Sequence, residues 1–240
     1  MQGPVRTFII AAASLGLAAV ASAADLPAKA PVAKAPVAVT PTWAGFYLGI
    51  AGGYGWGSTR HTNGTNGISS GTNSDLKSGV FGGTYGYNWQ WGAVVAGLEG
   101  DLSWMHMSTN FADNGSGYCT PGPSCITKVN WLGTDRARLG YAWDRYLAYV
   151  TGGVAYGSVE ATCCAPATTI SDETKTRVGF TVGAGLEAML VSNLSAKIEY
   201  LYVDLGDQTN YHFIPTNNPQ TVLFRSSIVR GGLNYRFGGL

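Results

Sequence analysis

The chain has 240 residues, a formal net charge of +1 and four cysteines. Glycine, at 34 residues, is about twice its usual share, and charged residues, at 12%, are about half the globular norm. Bases and acids are matched and form no basic block, which excludes an electrostatic footprint for nucleic acid. So little charge also argues against a surface wetted on every side.

Arg6 supplies a positive start, Phe8 to Val20 is an uncharged, mostly apolar stretch, and Ala21-Ser22-Ala23 fits a small-x-small cleavage site. This is the layout of a secretory signal peptide over 1–23, and about a dozen apolar residues is too short for a membrane anchor. Its removal takes away one base, Arg6, and no acid, so the remaining chain is formally neutral. Residues 25 to 42 read DLPAKAPVAKAPVAVTPT, without an apolar period, and 24–42 is expected to be a flexible Pro/Ala-rich leader. The folded domain is expected over 43–240.

From Trp43 onward the period is two. Positions 46, 48, 50, 54 and 56 are Phe, Leu, Ile, Tyr and Trp, while 45, 49, 51, 53 and 55 are Gly or Ala. A helix would need apolar residues at i, i+3, i+4 and i+7, and glycine this dense would destabilise it. A strand with one bulky and one small face explains the pattern. The same reading predicts strands near 43–56, 78–89, 94–105, 127–141, 146–159, 176–190, 194–205 and 222–237. Long polar gaps at 57–77, 106–126, 160–175 and 206–221 alternate with short ones at 90–93, 142–145 and 191–193. An even strand count with alternating loop lengths is the pattern of an outer-membrane barrel, with external loops and tight periplasmic turns.

Charge within the strands falls on one face. Glu99 and Asp101 lie opposite Leu98, Leu102 and Trp104, and Arg136 and Arg138 lie opposite Trp131, Leu139 and Tyr141. Arg177 and Glu187, Lys197 and Glu199, and Arg230 and Arg236 repeat the pattern in the last three strands. A soluble sandwich or a lipocalin-like binder also has two faces. Aromatic residues near strand ends, among them Tyr54, Trp56, Trp104, Trp131, Tyr156, Tyr235 and Phe237, instead suit girdles at two lipid interfaces. The uncharged stretches 35–59 and 78–98 are not membrane helices, since prolines interrupt the first and Asn88-Trp89-Gln90-Trp91-Gly92 the second. The expected fold is all-β, an eight-stranded antiparallel up-and-down transmembrane β-barrel of a Gram-negative outer membrane.

An eight-stranded interior is only wide enough for side chains to fill it. It is expected to receive Glu99, Asp101, Arg136, Arg138, Arg177, Glu187, Lys197, Glu199, Arg230 and Arg236. Charges confined there must pair. Glu99, Asp101 and Glu199 are therefore expected to plug the lumen with Arg136, Arg138, Lys197 and Arg230.

The runs WAGFYLGIAGGYGWG at 43–57, RARLGYAWD at 136–144, YVTGGVAYG at 149–157, AKIEYLYVDLG at 196–206 and RGGLNYRF at 230–237 resemble a known family. It is the small alphaproteobacterial outer-membrane β-barrel family, the porin-like surface antigens, and the resemblance covers nearly all of 43–237. It implies an abundant barrel with roles in envelope integrity and surface contact. Three features depart from the family pattern. Asp135 falls on the lipid side of the fourth strand, where the family usually carries an apolar residue. A neutral carboxyl, an inward-turning bulge or a slipped register would each account for it. Gly238-Gly239-Leu240 follow Phe237, whereas such barrels usually end on the aromatic residue. Cysteines are unusual in the family.

Export makes disulfides between Cys119, Cys125, Cys163 and Cys164 legitimate, with three pairings open. A metal is not expected, since no C-x-x-C occurs and no histidine is close in sequence. His61, His106 and His212 fall in or beside long loops, and no G-x-S-x-G, H-E-x-x-H or P-loop is present. The chain is thus expected to be a non-enzymatic structural barrel without cofactors. A narrow ion or solute channel is the alternative, and an enzyme with loop-borne catalytic residues the third reading. Expected partners are outer-membrane lipids, lipopolysaccharide and the barrel-assembly machinery, with peptidoglycan or host surfaces within reach of leader or loops.

Overall fold

The computed structural model describes residues 42–63, 69–70, 76–112, 124–164, 170–213 and 218–237. The expected signal peptide and the leader up to residue 41 lie outside them, as does Cys119. Among the described residues eight long strands form the wall: β1 (Gly45–Asn63), β2 (Leu76–Trp91), β3 (Val94–Ala112), β4 (Ser124–Trp143), β5 (Tyr146–Cys164), β6 (Ile170–Val191), β7 (Leu194–Phe213) and β8 (Asn218–Phe237). Ser69–Ser70 adds a short rung opposite His61 and Thr62 of β1.

Each strand pairs antiparallel with the next, and β1 also pairs with β8 from Phe46↔Phe237 to Asn63↔Gln220. The sheet therefore closes on itself, which removes the unpaired edges that no bilayer could satisfy. At the periplasmic end β2–β3, β4–β5 and β6–β7 are joined by two-residue turns. Gly92 and Asp144 take positive φ there, at 59° and 52°. Glycine and aspartate are among the few residues that tolerate this conformation.

Side-chain orientation is inverted relative to a soluble protein. In β2, Val80, Thr84 and Asn88 are buried, while Phe81, Tyr85, Tyr87 and Trp89 alternate with them and are exposed. The outward aromatics gather in two belts. The lower belt includes the pairs Phe46–Phe237 and Trp143–Tyr146, with ring centroids 6.0 and 6.1 Å apart. The upper belt includes Trp56–Tyr200, Trp131–Tyr156 and Phe180–Tyr202, at 6.5, 6.2 and 6.3 Å. An apolar wall between two aromatic girdles is what a lipid environment stabilises.

The strands run further outward than their hydrophobic pattern. β1 continues to Asn63 and β6 begins at Ile170, where expectation ended and began at 56 and 176. Above the bilayer neither face needs apolar residues, so the hydrogen-bond ladder continues after the period of two has faded. Register shifts at Trp104/Met107 and Val129/Leu132 lie in this outer half of the β3–β4 and β4–β5 pairings. Asp135 lies below them, opposite Gly100 and Val154, and remains outward and exposed. The shifts therefore do not turn it into the lumen.

Candidate functional site: the filled lumen

The lumen is filled in three layers. At the periplasmic mouth Trp43, fully buried, packs with Val95, Leu147, Tyr149 and Met189. The Trp43 backbone N–H donates to Gln90 Oε1 at 2.6 Å, and the Arg236 guanidinium stands 5.0 Å from the Trp43 ring. Arg236 also donates to the Thr42 carbonyl at 2.7 Å, so the last residue of the expected leader is fastened to the barrel floor.

Above this floor four carboxylates, Glu99, Asp101, Glu187 and Glu199, meet four cations, Arg136, Arg138, Lys197 and Arg230, none more than 4% exposed. Arg136 is the hub: its guanidinium reaches Glu99 at 2.6 Å, Asp101 at 3.0 Å and Glu199 at 3.2 Å. Arg230 crosses from β8 to Asp101 at 2.9 Å and to Glu199 at 2.7 Å. Lys197 lies 2.9 Å from Glu99 and 3.3 Å from Glu199. Arg138 pairs with Glu187 and lies 3.5 Å from Glu99. Each carboxylate also accepts neutral hydrogen bonds: Glu99 from Tyr47 at 2.7 Å, Asp101 from Thr134, Glu187 from Ser195 and Asn234, and Glu199 from Tyr149. Removed from water, ions are tolerated only when charge and hydrogen bonding are both satisfied, and equal numbers of the two signs meet the first condition.

The structure thus brings together eight of the ten charged residues assigned to the lumen from sequence. Arg236 lies in the floor. Arg177 is buried further out, where it donates to the carbonyl of Val222 at 2.6 Å. Two tyrosines were missed. Tyr47 and Tyr149 face inward and flank the Arg138 guanidinium, with ring centroids 5.9 and 3.8 Å from it. A signal for Tyr47 exists, since it is the one bulky residue in the Gly/Ala face of β1. Their space comes from glycine: a Cβ at Gly86 would collide with the Tyr47 hydroxyl, and one at Gly185 with that of Tyr149.

The third layer is apolar. Leu76, Val80, Met105, Met107, Leu132, Leu201 and Phe224 lead a buried cluster across the outer half of the lumen. An apolar stopper therefore sits over the ion network, with the buried side chains of Arg177 and Ser226 beside it. Among the other candidates, the β4–β5 register sets Cys125 opposite Cys163. His106 lies on the outer half of β3 and is exposed, its backbone N–H donating to Ser78 Oγ at 3.0 Å.

A closed, filled barrel with a lipid-facing wall agrees with what the chain is similar to. Residues 10–237 match the family model described as the outer membrane protein beta-barrel domain. The 31 kDa outer-membrane immunogenic protein of Brucella melitensis is 36% identical, over 97% of this chain and 100% of its own length. The 25 kDa outer-membrane immunogenic protein of Brucella abortus is 34% identical over 95% of this chain and 96% of its own. The 22 kDa outer membrane protein of Rhizobium leguminosarum is 38% identical over 68% of this chain and 64% of its own. The protein is an outer-membrane β-barrel, and the chain belongs to this alphaproteobacterial outer membrane protein family.

Proposed function

We propose that the protein is a structural barrel with a closed lumen, supporting envelope integrity and carrying surface contact on its four external loops, and that it catalyses no reaction. The observation that carries this reading is the layered filling. Ions crossing the lumen would have to pass a network in which four carboxylates and four cations hold one another, and then the apolar cluster around Met107 and Phe224. Stripping water from a permeating ion at that outer layer is strongly unfavourable. On this reading the partners are outer-membrane lipids, lipopolysaccharide and the barrel-assembly machinery. Peptidoglycan lies within reach of the leader, and host surfaces within reach of the loops.

The test is conductance of the purified, refolded protein in a planar lipid bilayer, with folding checked by heat-shifted gel mobility. A silent bilayer is expected. Discrete, reproducible current steps that change when Arg136 and Arg138 are neutralised would overturn the closed scaffold and establish a narrow channel lined by those residues.

A further inference from the structure

A carboxylate on the lipid wall is the feature the scaffold does not absorb. Asp135 faces outward among Leu98, Leu102, Ala137 and Val154. Two tyrosines reach across the wall to it: Tyr85 donates to Oδ1 at 3.1 Å and Tyr156 to Oδ2 at 3.2 Å. Each ring lies over a glycine, Tyr85 over Gly100 of the intervening β3 and Tyr156 over Gly133 of β4 itself, where a Cβ would collide with it. Four residues on four strands therefore hold one carboxyl in a fixed place. Below it a groove of about 430 Å³ descends the outer wall, lined by Tyr85, Leu98, Ala137, Tyr87 and Phe46.

A carboxylate offers about four acceptor positions. Among the described residues its side-chain donors are these two hydroxyls. Its remaining acceptor positions face the edge of the hydrocarbon band, where leaving a polar group unserved is costly. A lipid seated in the groove can supply a further donor. Asp135 stands roughly 20 Å above the periplasmic turn at ~3.3 Å per residue and ~40° tilt, near the top of an apolar band ~25 Å tall. The donor must therefore sit at the junction of acyl chain and headgroup in the outer leaflet. A phosphate there would be repelled, whereas an amide N–H or a chain hydroxyl would be attracted.

We infer that Asp135, Tyr85 and Tyr156 form a binding site for an outer-leaflet amino-sugar lipid. One acyl chain lies in the groove, and the amide N–H or hydroxyl at its head donates to the Asp135 carboxylate. The inference rests on the outer-membrane placement and is independent of whether the lumen is closed.

The experiment is native mass spectrometry of the refolded barrel ejected from mixed micelles. The micelles contain hexa-acyl lipid A, which has amide and hydroxyl donors, and dimyristoylphosphatidylcholine, which has neither. Wild type is expected to retain one lipid A in preference to phosphatidylcholine. Asp135→Val, which places an apolar residue against lipid, is expected to fold and to lose retention by roughly tenfold, the worth of one charge-assisted hydrogen bond. Equal retention of lipid A by Asp135→Val, or equal retention of the two lipids by wild type, overturns the site. Should Asp135→Val fail to show heat-shifted mobility, Asp135→Asn is read in the same way. A smaller drop is then expected, and no drop overturns the site.

Discussion

Along β3 the lumen changes character within a few residues: Glu99 and Asp101 point into the ion network, and Met105 and Met107 into the apolar stopper. Both layers fill the same narrow interior, but they respond differently to damage. In the lower layer each group is held by several partners, so a lost side chain unbalances the charge of the whole network. In the upper layer a lost side chain leaves only a void, which its neighbours can partly close. The ion network is consequently the more specific of the two without being the more stabilising. Buried ion networks can often be exchanged whole for apolar residues at little loss, yet rarely one member at a time.

The largest expected effect is at the hub. Arg136→Met takes one cation from Glu99, Asp101 and Glu199 together, leaves the buried network with four carboxylates and three cations, and should lower unfolding stability by about 3–5 kcal/mol. Urea titration of tryptophan fluorescence in liposomes measures it, and a loss under about 1 kcal/mol would show that water reaches this layer. Leu132→Ala in the stopper comes next, at about 2–4 kcal/mol by the same titration. A cost equal to that of Arg136→Met would erase the distinction between the layers. Coupling across the barrel should be smaller. A double-mutant cycle of Asp101→Asn with Arg230→Met is expected to return about 1–3 kcal/mol of interaction, and additivity would mean that the crossing contact is idle. The smallest effect belongs to Lys128–Glu160 on the outer half of the β4–β5 pairing, 3.1 Å apart with side chains 37% and 22% exposed. Lys128→Ala should cost less than about 1 kcal/mol, and even that difference should vanish in 1 M salt.

Much of this was legible in the sequence because a barrel wall obeys a period of two and leaves its charges on one face. The inward set around Arg136 follows from that, and the even strand count with alternating loop lengths adds the strand order and the closure. The outer strand ends were not legible, because Thr, Ser and Asn on both faces carry no period while their backbones still pair. Nor was the stopper: Met105 and Met107 share the face of Glu99 and Asp101, and nothing local says that this face changes from polar to apolar with height. Arg230 meets Asp101 from a strand that is not its neighbour. Such meetings depend on the stagger of the whole barrel, which no single strand encodes. The Asp135 clasp was half visible, as a carboxylate out of place. Its two tyrosines could be found only after the register had set Gly100 beside it and Tyr156 opposite Gly133.

The outward overrun of the strands bears on how the molecule meets other surfaces. From Trp56 in the upper belt, β1 continues to Asn63, which at ~3.3 Å per residue and ~40° tilt is roughly 18 Å of ladder clear of the hydrocarbon. The hydrogen-bonded ladder of the barrel therefore rises past the upper aromatic belt. A binder that docks on its crown never needs to touch the bilayer, and one that grips its flank would be recognising backbone-fixed rungs whose shape survives changes in the sequence of the tips.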